Sequence, residues 1–267
     1  MKRLITRLLC TASIFLCAIF STKAQPVDWD VRALELERQI YTAVSPSDHN
    51  HSVLAKCEIR KQQGLYNEAL AELSRVYAYA LSEEQTAEYY TQRALCSYLA
   101  EEFDSALTTI EEAAFYVPRS ELLILVEALA AGEKGDWVRS RKAAEEYLAL
   151  YPEESARAAA IEELYRHTPS LRNPMTAYWL SLVPGVGQLY AGEVWSGVVS
   201  LVANGLLGGF AVSEMMVGQW LSGWVVGCGL LSNTYFVGQE RARILTERRN
   251  QRLLREYNDQ LRETLLK

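Results

Sequence analysis

The chain changes its hydrophobic rhythm twice. Over 25–172 apolar and polar positions follow a helical period, over 173–239 the apolar positions merge into long uncharged runs, and over 240–267 the helical period returns. In the first stretch Val31, Leu34, Ile40 and Ala43 mark a helix over 28–44, which Ser45-Pro46-Ser47-Asp48 breaks. A second helix is expected over 52–63. In the last stretch Leu254, Tyr257, Leu261 and Leu265 are spaced 3, 4 and 4 apart, an apolar stripe on an arginine-rich helix. In the middle stretch the only charged side chains are Glu193 and Glu214. They divide it into runs of 20, 20 and 25 residues (173–192, 194–213 and 215–239). About 20 apolar residues suffice to cross the hydrocarbon core of a bilayer.

Within the first stretch the pattern repeats. Tyr66, Phe103 and Trp137 are separated by 37 and 34 residues; Ala69, Ala106 and Ser140 keep the same offsets, and Pro118 and Pro152 lie 34 apart. Gly64-Leu65-Tyr66 recurs as Gly135-Asp136-Trp137, and Cys57, Ala94 and Ala128 recur as a small residue one helix earlier. Val53, Tyr90 and Ile124 recur as a large apolar one. A period near 34 with paired helices is the signature of a helical solenoid, and these residues resemble a tetratricopeptide repeat (TPR) array. There are departures from that pattern. Glu101 stands at the turn glycine of the second repeat, Ser140 at an alanine of the third, and the first repeat ends at Leu81-Ser82 without proline and with three extra residues. Arg157 to Arg166 reads as a capping helix.

The resemblance implies a groove that binds a protein or peptide, met by side chains of the first helices. Lys56, Arg60, Arg93 and Ser97 are the candidates, against the alternative of a solvated helix face. Tyr66, Phe103 and Trp137 read as core residues of the turn.

The uncharged block opens with a second motif. Ala177 to Gly192 contains Pro184, Gly185, Gly187, Gln188, Tyr190 and Gly192 in the order LS-x-x-PG-x-GQ-x-Y-x-G. This resembles a segment of small bacterial membrane modules that follow TPR arrays and are related to the two-transmembrane-helix domain family. Pro184 removes a backbone donor within an apolar run, so 173–192 reads either as a kinked span or as a re-entrant element. The expectation is three crossings, with the tail and its arginines on the cytoplasmic side by the positive-inside rule. Gly223-x-x-x-Gly227 and Gly208-Gly209 permit close helix contact within the chain. Gln188, Asn204, Gln219 and Asn233 are expected to face the bundle.

Charge and composition narrow the function. Residues 25–172 carry 15 Lys+Arg against 26 Asp+Glu, which gives no support for nucleic-acid binding. Lys2, Arg3 and Arg7, the apolar run 8–20 and the small residues before Gln25 read as a secretory signal peptide. Of the remaining cysteines, Cys57, Cys96 and Cys228, the first two are permitted a bridge by that compartment, though a free cysteine is more commonly a small buried hydrophobe. His49 and His51 form the only tight cluster of ligand-type residues, without a third ligand at metal spacing, and read as a polar cap of the helix near Ser52. No nucleophile elbow, Walker loop or zinc-protease motif occurs in the sequence.

The fold expected is all-α: a short TPR-like helical solenoid (25–170), a small transmembrane helix bundle (171–239) and an amphipathic C-terminal helix (240–267), after a signal peptide (1–24). The function expected is a non-enzymatic scaffold in the bacterial inner membrane, its N-terminal domain periplasmic, with no catalytic residues, metal or cofactor. Its partners would be a protein or peptide and the lipid bilayer, with the oligomeric state open. The alternative is a transport or lipid-handling component whose helical block is the active part.

Overall fold

The computed structural model describes residues 29–266, all-helical with no strand among them. The signal-peptide reading lies outside the described residues. The chain divides into two compact units at Cys96/Ser97. The expected border at 170/171 falls inside the second unit, because the C-terminal helix packs back on residues ahead of it.

In the first unit, α1 (Trp29–Thr42) lies on α2 (Pro46–Gln62) through Ala33, Leu36 and Ile59. Pro46 does not merely interrupt the chain but starts α2: a proline at the first helical position loses an N–H that has no intrahelical partner. Ser45 caps it by accepting from the Asp48 N–H at 3.1 Å. The helix thus begins six residues ahead of Ser52, and His49 and His51 lie within its first turns rather than in a capping loop. His49 stacks on Tyr77, ring centroids 4.4 Å apart. α3 (Tyr66–Leu73) folds back on α2 around Leu54, Cys57, Ala69, Leu73 and Cys96. Buried Asn50 secures the lengthened connection that follows: its amide donates to the Tyr77 carbonyl at 2.9 Å and its oxygen accepts the Tyr77 N–H at 2.8 Å. α4 (Glu83–Leu99) carries the chain across the boundary.

The second unit contains α5 (Phe103–Ala113), α6 (Glu121–Lys134), α7 (Trp137–Leu148) and α8 (Ser155–Arg166). Pro118 and Pro152 lie in the connections after α5 and α7. Ser140 fills the expected small position and adds polar pinning, its hydroxyl 2.7 Å from both the Ala128 carbonyl and the Tyr165 hydroxyl.

The run 173–192 is not one span. It forms α9 (Pro174–Leu180) and α10 (Val186–Ala191), of 7 and 6 residues, each about 10 Å long. Then come α11 (Val194–Met216), the short α12 (Trp220–Trp224), a π-helical stretch (Val225–Leu231) and α13 (Ser232–Leu266). Among the described residues α11 is the one helix long and apolar enough to cross a membrane. α13 runs unbroken for 35 residues from the uncharged block into the basic tail. The stripe predicted on that tail is used inside the chain. Tyr257, Leu261 and Leu265 are buried, and the helix packs on α6 and α8.

Candidate functional site

Among the described residues one turn is built five times. At Gly64, Glu101, Gly135, Gly192 and Gly218 the backbone is left-handed, with φ of 76°, 62°, 73°, 91° and 84°. In each case the next N–H reaches the carbonyl five residues back: Leu65 to Arg60, Glu102 to Ser97, Asp136 to Ala131, Glu193 to Gln188 and Gln219 to Glu214, all at 2.9 Å. This 6→1 bond satisfies a carbonyl that the helix end would leave orphaned. In every copy the next helix starts two residues later, on Tyr66, Phe103, Trp137, Val194 or Trp220. Glycine is the ordinary occupant because a Cβ opposes positive φ. Glu101 adopts the same geometry without that freedom, so the departure in sequence is not a departure in shape. Ala69, Ala106 and Ser140 are fully buried one turn into each second helix, as are Cys57, Ala94 and Ala128 in the first helices.

The four partner-binding candidates are not one exposed set. Lys56 is buried and ion-paired to Glu37 at 2.7 Å and Glu72 at 2.5 Å, which gives its charge an internal use. Arg75 binds Glu37 through both terminal nitrogens at 2.9 Å and Glu72 at 2.7 Å. The two cations hold the Glu37 carboxyl at about 2, well below its ordinary 4.5. Ser97 is fully buried, its hydroxyl 3.3 Å from that of Ser105. Arg60 is half-buried beside Gln63 and Glu68, and Arg93 stands over the Tyr89 ring. Lys56 and Ser97 are therefore withdrawn from any surface a partner meets. Burial is a property of the packed helices that the one-dimensional pattern does not carry.

Cys57 and Cys96 are free thiols in contact within one core cluster, both fully buried. The hydrogen bond from Cys96 and burial both push the Cys57 thiol up. No group of three or more His, Cys, Asp or Glu at metal-binding geometry occurs among the described residues.

The Pro-Gly motif packs closely on the first turns of α11 and on α13. α9 descends and α10 returns, with Pro184 and Gly185 at the tip. Arg172 at the entrance donates to the Tyr190 carbonyl at the exit and stacks over its ring at 5.5 Å. The Asn173 N–H donates to the Tyr190 hydroxyl at 3.3 Å. Asn250 of α13 clasps the entrance from the other side, accepting the Arg172 N–H at 3.0 Å and donating to its carbonyl at 2.6 Å. Two of the motif's glycines, Gly185 and Gly187, lie where nothing larger fits. A Cβ at Gly185 would meet the Gly197 carbonyl oxygen at 2.3 Å, and one at Gly187 would meet Ser181 Oγ at 1.9 Å and the Ala177 oxygen at 2.2 Å. Gln188 is 1% exposed and donates to the Gly238 carbonyl at 2.9 Å. At the tip, the Tyr235 hydroxyl donates to the Leu182 carbonyl at 3.0 Å. Arg172, Gly197, Gly238 and Asn250 complete this knot. The sequence offered one signal for them: Arg172 is the last charge before the uncharged run.

α11 and the returning segment form an antiparallel hairpin. Asn204 accepts from Thr234 at 3.1 Å, and a Cβ at Gly208 would meet Leu231 at 3.8 Å. Gly227 packs on Ala211, and Gly223 on Ala211 and Met215, so this glycine pair makes contacts within the chain. Of the four polar side chains expected to face inward, Gln188 and Asn204 are buried while Gln219 and Asn233 are exposed. Beneath the tip of the motif lies an apolar groove of ≈ 530 Å3, lined by Pro184, Leu201, Asn204, Leu231, Tyr235 and Phe236 among others.

No protein-family model, no curated protein and no solved structure matches the chain.

Proposed function

We propose that the chain is a membrane-anchored scaffold of the bacterial envelope, without catalysis of its own, whose TPR-like hairpins hold a partner protein or peptide. The observation that carries this reading is the turn shared by Gly64, Glu101 and Gly135, with the same left-handed residue, the same hydrogen bond and an aromatic residue opening the next helix. Tandem helical hairpins of this kind form extended surfaces for macromolecular partners rather than enclosed sites for chemistry. The anchor is supported by α11, which is long, apolar and mostly exposed, with Trp195 near one end and Trp220 beyond the other. The basic, apolar leader at 1–24 supports a periplasmic domain at the inner membrane.

The test uses the full chain in cells. A photo-crosslinking residue is placed in turn at Tyr79, Phe115 and Val138, which are 81%, 86% and 84% exposed. A discrete adduct to one polypeptide from some of these positions is expected. Uniform absence of adducts at exposed positions of both units would sink the scaffold reading.

The alternative, a lipid-handling component, has one observation in its favour, the groove beneath Pro184. Leu201→Trp would fill it. Loss of the cellular function with adduct formation intact would favour this alternative.

A further inference from the structure

We infer that the chain crosses the bilayer twice, through α11 and the segment 220–239, and that 173–192 enters the same face it leaves, so that the C-terminal helix ends on the side that carries α5–α8. This rests on the membrane reading above and deepens it, and it replaces the expectation of three crossings with the tail opposite the domain.

The ends of the motif decide the count. A span of 20 residues would separate its ends by about 30 Å. Here the entrance and the exit touch, through Arg172 to the Tyr190 carbonyl and the Asn173 N–H to the Tyr190 hydroxyl. The segment therefore contributes no net crossing. Its tip goes only as deep as the first turns of the hairpin, since Gly185 meets Gly197, Gln188 meets Gly238 and Leu182 meets Tyr235. Irregular backbone at that depth is tolerated where neighbouring helices satisfy it, and the Tyr235 hydroxyl on the Leu182 carbonyl does so.

The hairpin supplies the two crossings. α11 has 23 residues, about 35 Å, enough for a hydrocarbon core of about 30 Å. Five pairs fix its partner: Ser200 with Gly238, Asn204 with Thr234, Gly208 with Leu231, Ala211 with Gly227 and Met215 with Gly223. Each step along α11 is matched by a step back along the return, and the turn between them lies at Gly218. Outward-facing Val199, Leu206, Phe210, Leu230 and Phe236 leave an apolar surface on both legs. The occupant to which this surface commits is lipid, because Glu214 is the only charge between 194 and 239 and lies at the turn.

The last step is the rod. α13 leaves the apolar zone at Glu240 and continues to Leu266 without a break. Its far end is fastened to α6 and α4, with Arg262 donating to Glu133 at 3.0 Å and to the Tyr98 hydroxyl at 2.9 Å, and Asn258 to Glu133 at 2.9 Å. An unbroken helix whose far end packs on α6 places the tail on the side of the bilayer that carries α6.

Single cysteines at Arg141, Val217 and Leu266, all exposed, are labelled in the full chain with a membrane-impermeant maleimide, in spheroplasts and after lysis. The parent chain serves as the blank. Arg141→Cys and Leu266→Cys are expected to react already in intact spheroplasts, and Val217→Cys only after lysis. Gln219→Cys replaces Val217→Cys if that variant does not accumulate. Opposite labelling of positions 141 and 266 overturns the inference while leaving the anchor intact. Joint reaction of 141 and 266 only after lysis supports the inference and removes the periplasmic assignment. Release of the chain by alkaline carbonate overturns the membrane reading and the inference with it.

Discussion

Trp137 and Tyr257 meet edge to face, ring centroids 4.7 Å apart, 120 positions apart in the chain. Trp137 opens the second helix of the third hairpin, and Tyr257 belongs to the basic tail. Around this pair Leu261 is fully buried, and a Cβ at Gly132 would stand 2.8 Å from Asn258 Oδ1 and 3.2 Å from Leu261. The tail is a structural part of the domain rather than an appendage. Leu261→Ala is expected to cost about 3 kcal/mol, the usual range for a leucine emptied from a closed core. Leu266→Ala, at an exposed neighbour, is expected to cost under about 0.5 kcal/mol. Thermal unfolding in mild detergent measures both, and equal effects would show that the tail does not dock.

The glycines of the uncharged block are not equivalent. Gly187 has no room for a methyl group, while Gly205 has nothing within 4 Å of the same position. Gly187→Ala is expected to destabilise by about 3 kcal/mol or more, because the Ala177 oxygen it meets is backbone and cannot move aside. Gly205→Ala is expected to be neutral or slightly stabilising, since alanine is the better helix former. The comparison is read as the fraction of folded chain remaining after a graded heat step. A Gly187→Ala chain as stable as the parent would mean that the motif is not a packing knot.

The all-helical class and the paired helices were legible because both depend on local periodicity and on turn residues at fixed offsets. Gly64, Tyr66, Gly135 and Trp137 announce their geometry in one dimension. What the sequence concealed depends on contacts between distant residues. Lys56 reads as a groove cation until Glu37 and Glu72 close around it. The run 173–192 has the length and composition of a span, and only the meeting of Arg172 with Tyr190 turns it back. The stripe on the tail was visible, but its partner, the face of α6 around Gly132, lies more than a hundred residues away. The same turn at Gly192 and Gly218 went unread because both lie in the uncharged block: Trp220 follows Gly218 as Tyr66 follows Gly64, but Gly197 and Gly223 stand where the repeats carry alanine or serine.

Glu101 provides a test of the repeated turn. It holds φ at 62° where its counterparts Gly64 and Gly135 are glycines. A left-handed conformation costs a side-chain-bearing residue about 1 kcal/mol that glycine does not incur. Glu101→Gly is therefore expected to stabilise by about 1 kcal/mol, seen as a higher midpoint of thermal unfolding. Gly135→Ala, at the matching position, is expected to lose about as much or more, its Cβ also crowding Leu171 at 3.3 Å. Destabilisation by Glu101→Gly would mean that the side chain, not the turn, matters there.

The ion-pair network of the first unit sets an acid limit. Glu37 is shared by Lys56 and Arg75, and its carboxyl is held at about 2 against an ordinary 4.5. A lowered carboxylate contributes stability that is fully present above about pH 4.5 and is lost as the pH falls towards 2. Half-exposure of Glu37 screens the effect, so Glu37→Gln is expected to cost about 1 kcal/mol near neutral pH, less than a fully buried charged hydrogen bond. The difference between parent and variant should shrink below pH 4.5 and be small by pH 2, where about half of the parent carboxyl is protonated. Urea unfolding at pH 7, 4 and 2 measures it, and comparing the two chains at each pH cancels the titration of every other carboxylate. A difference that stayed constant down to pH 2 would show that Glu37 acts by packing rather than by charge.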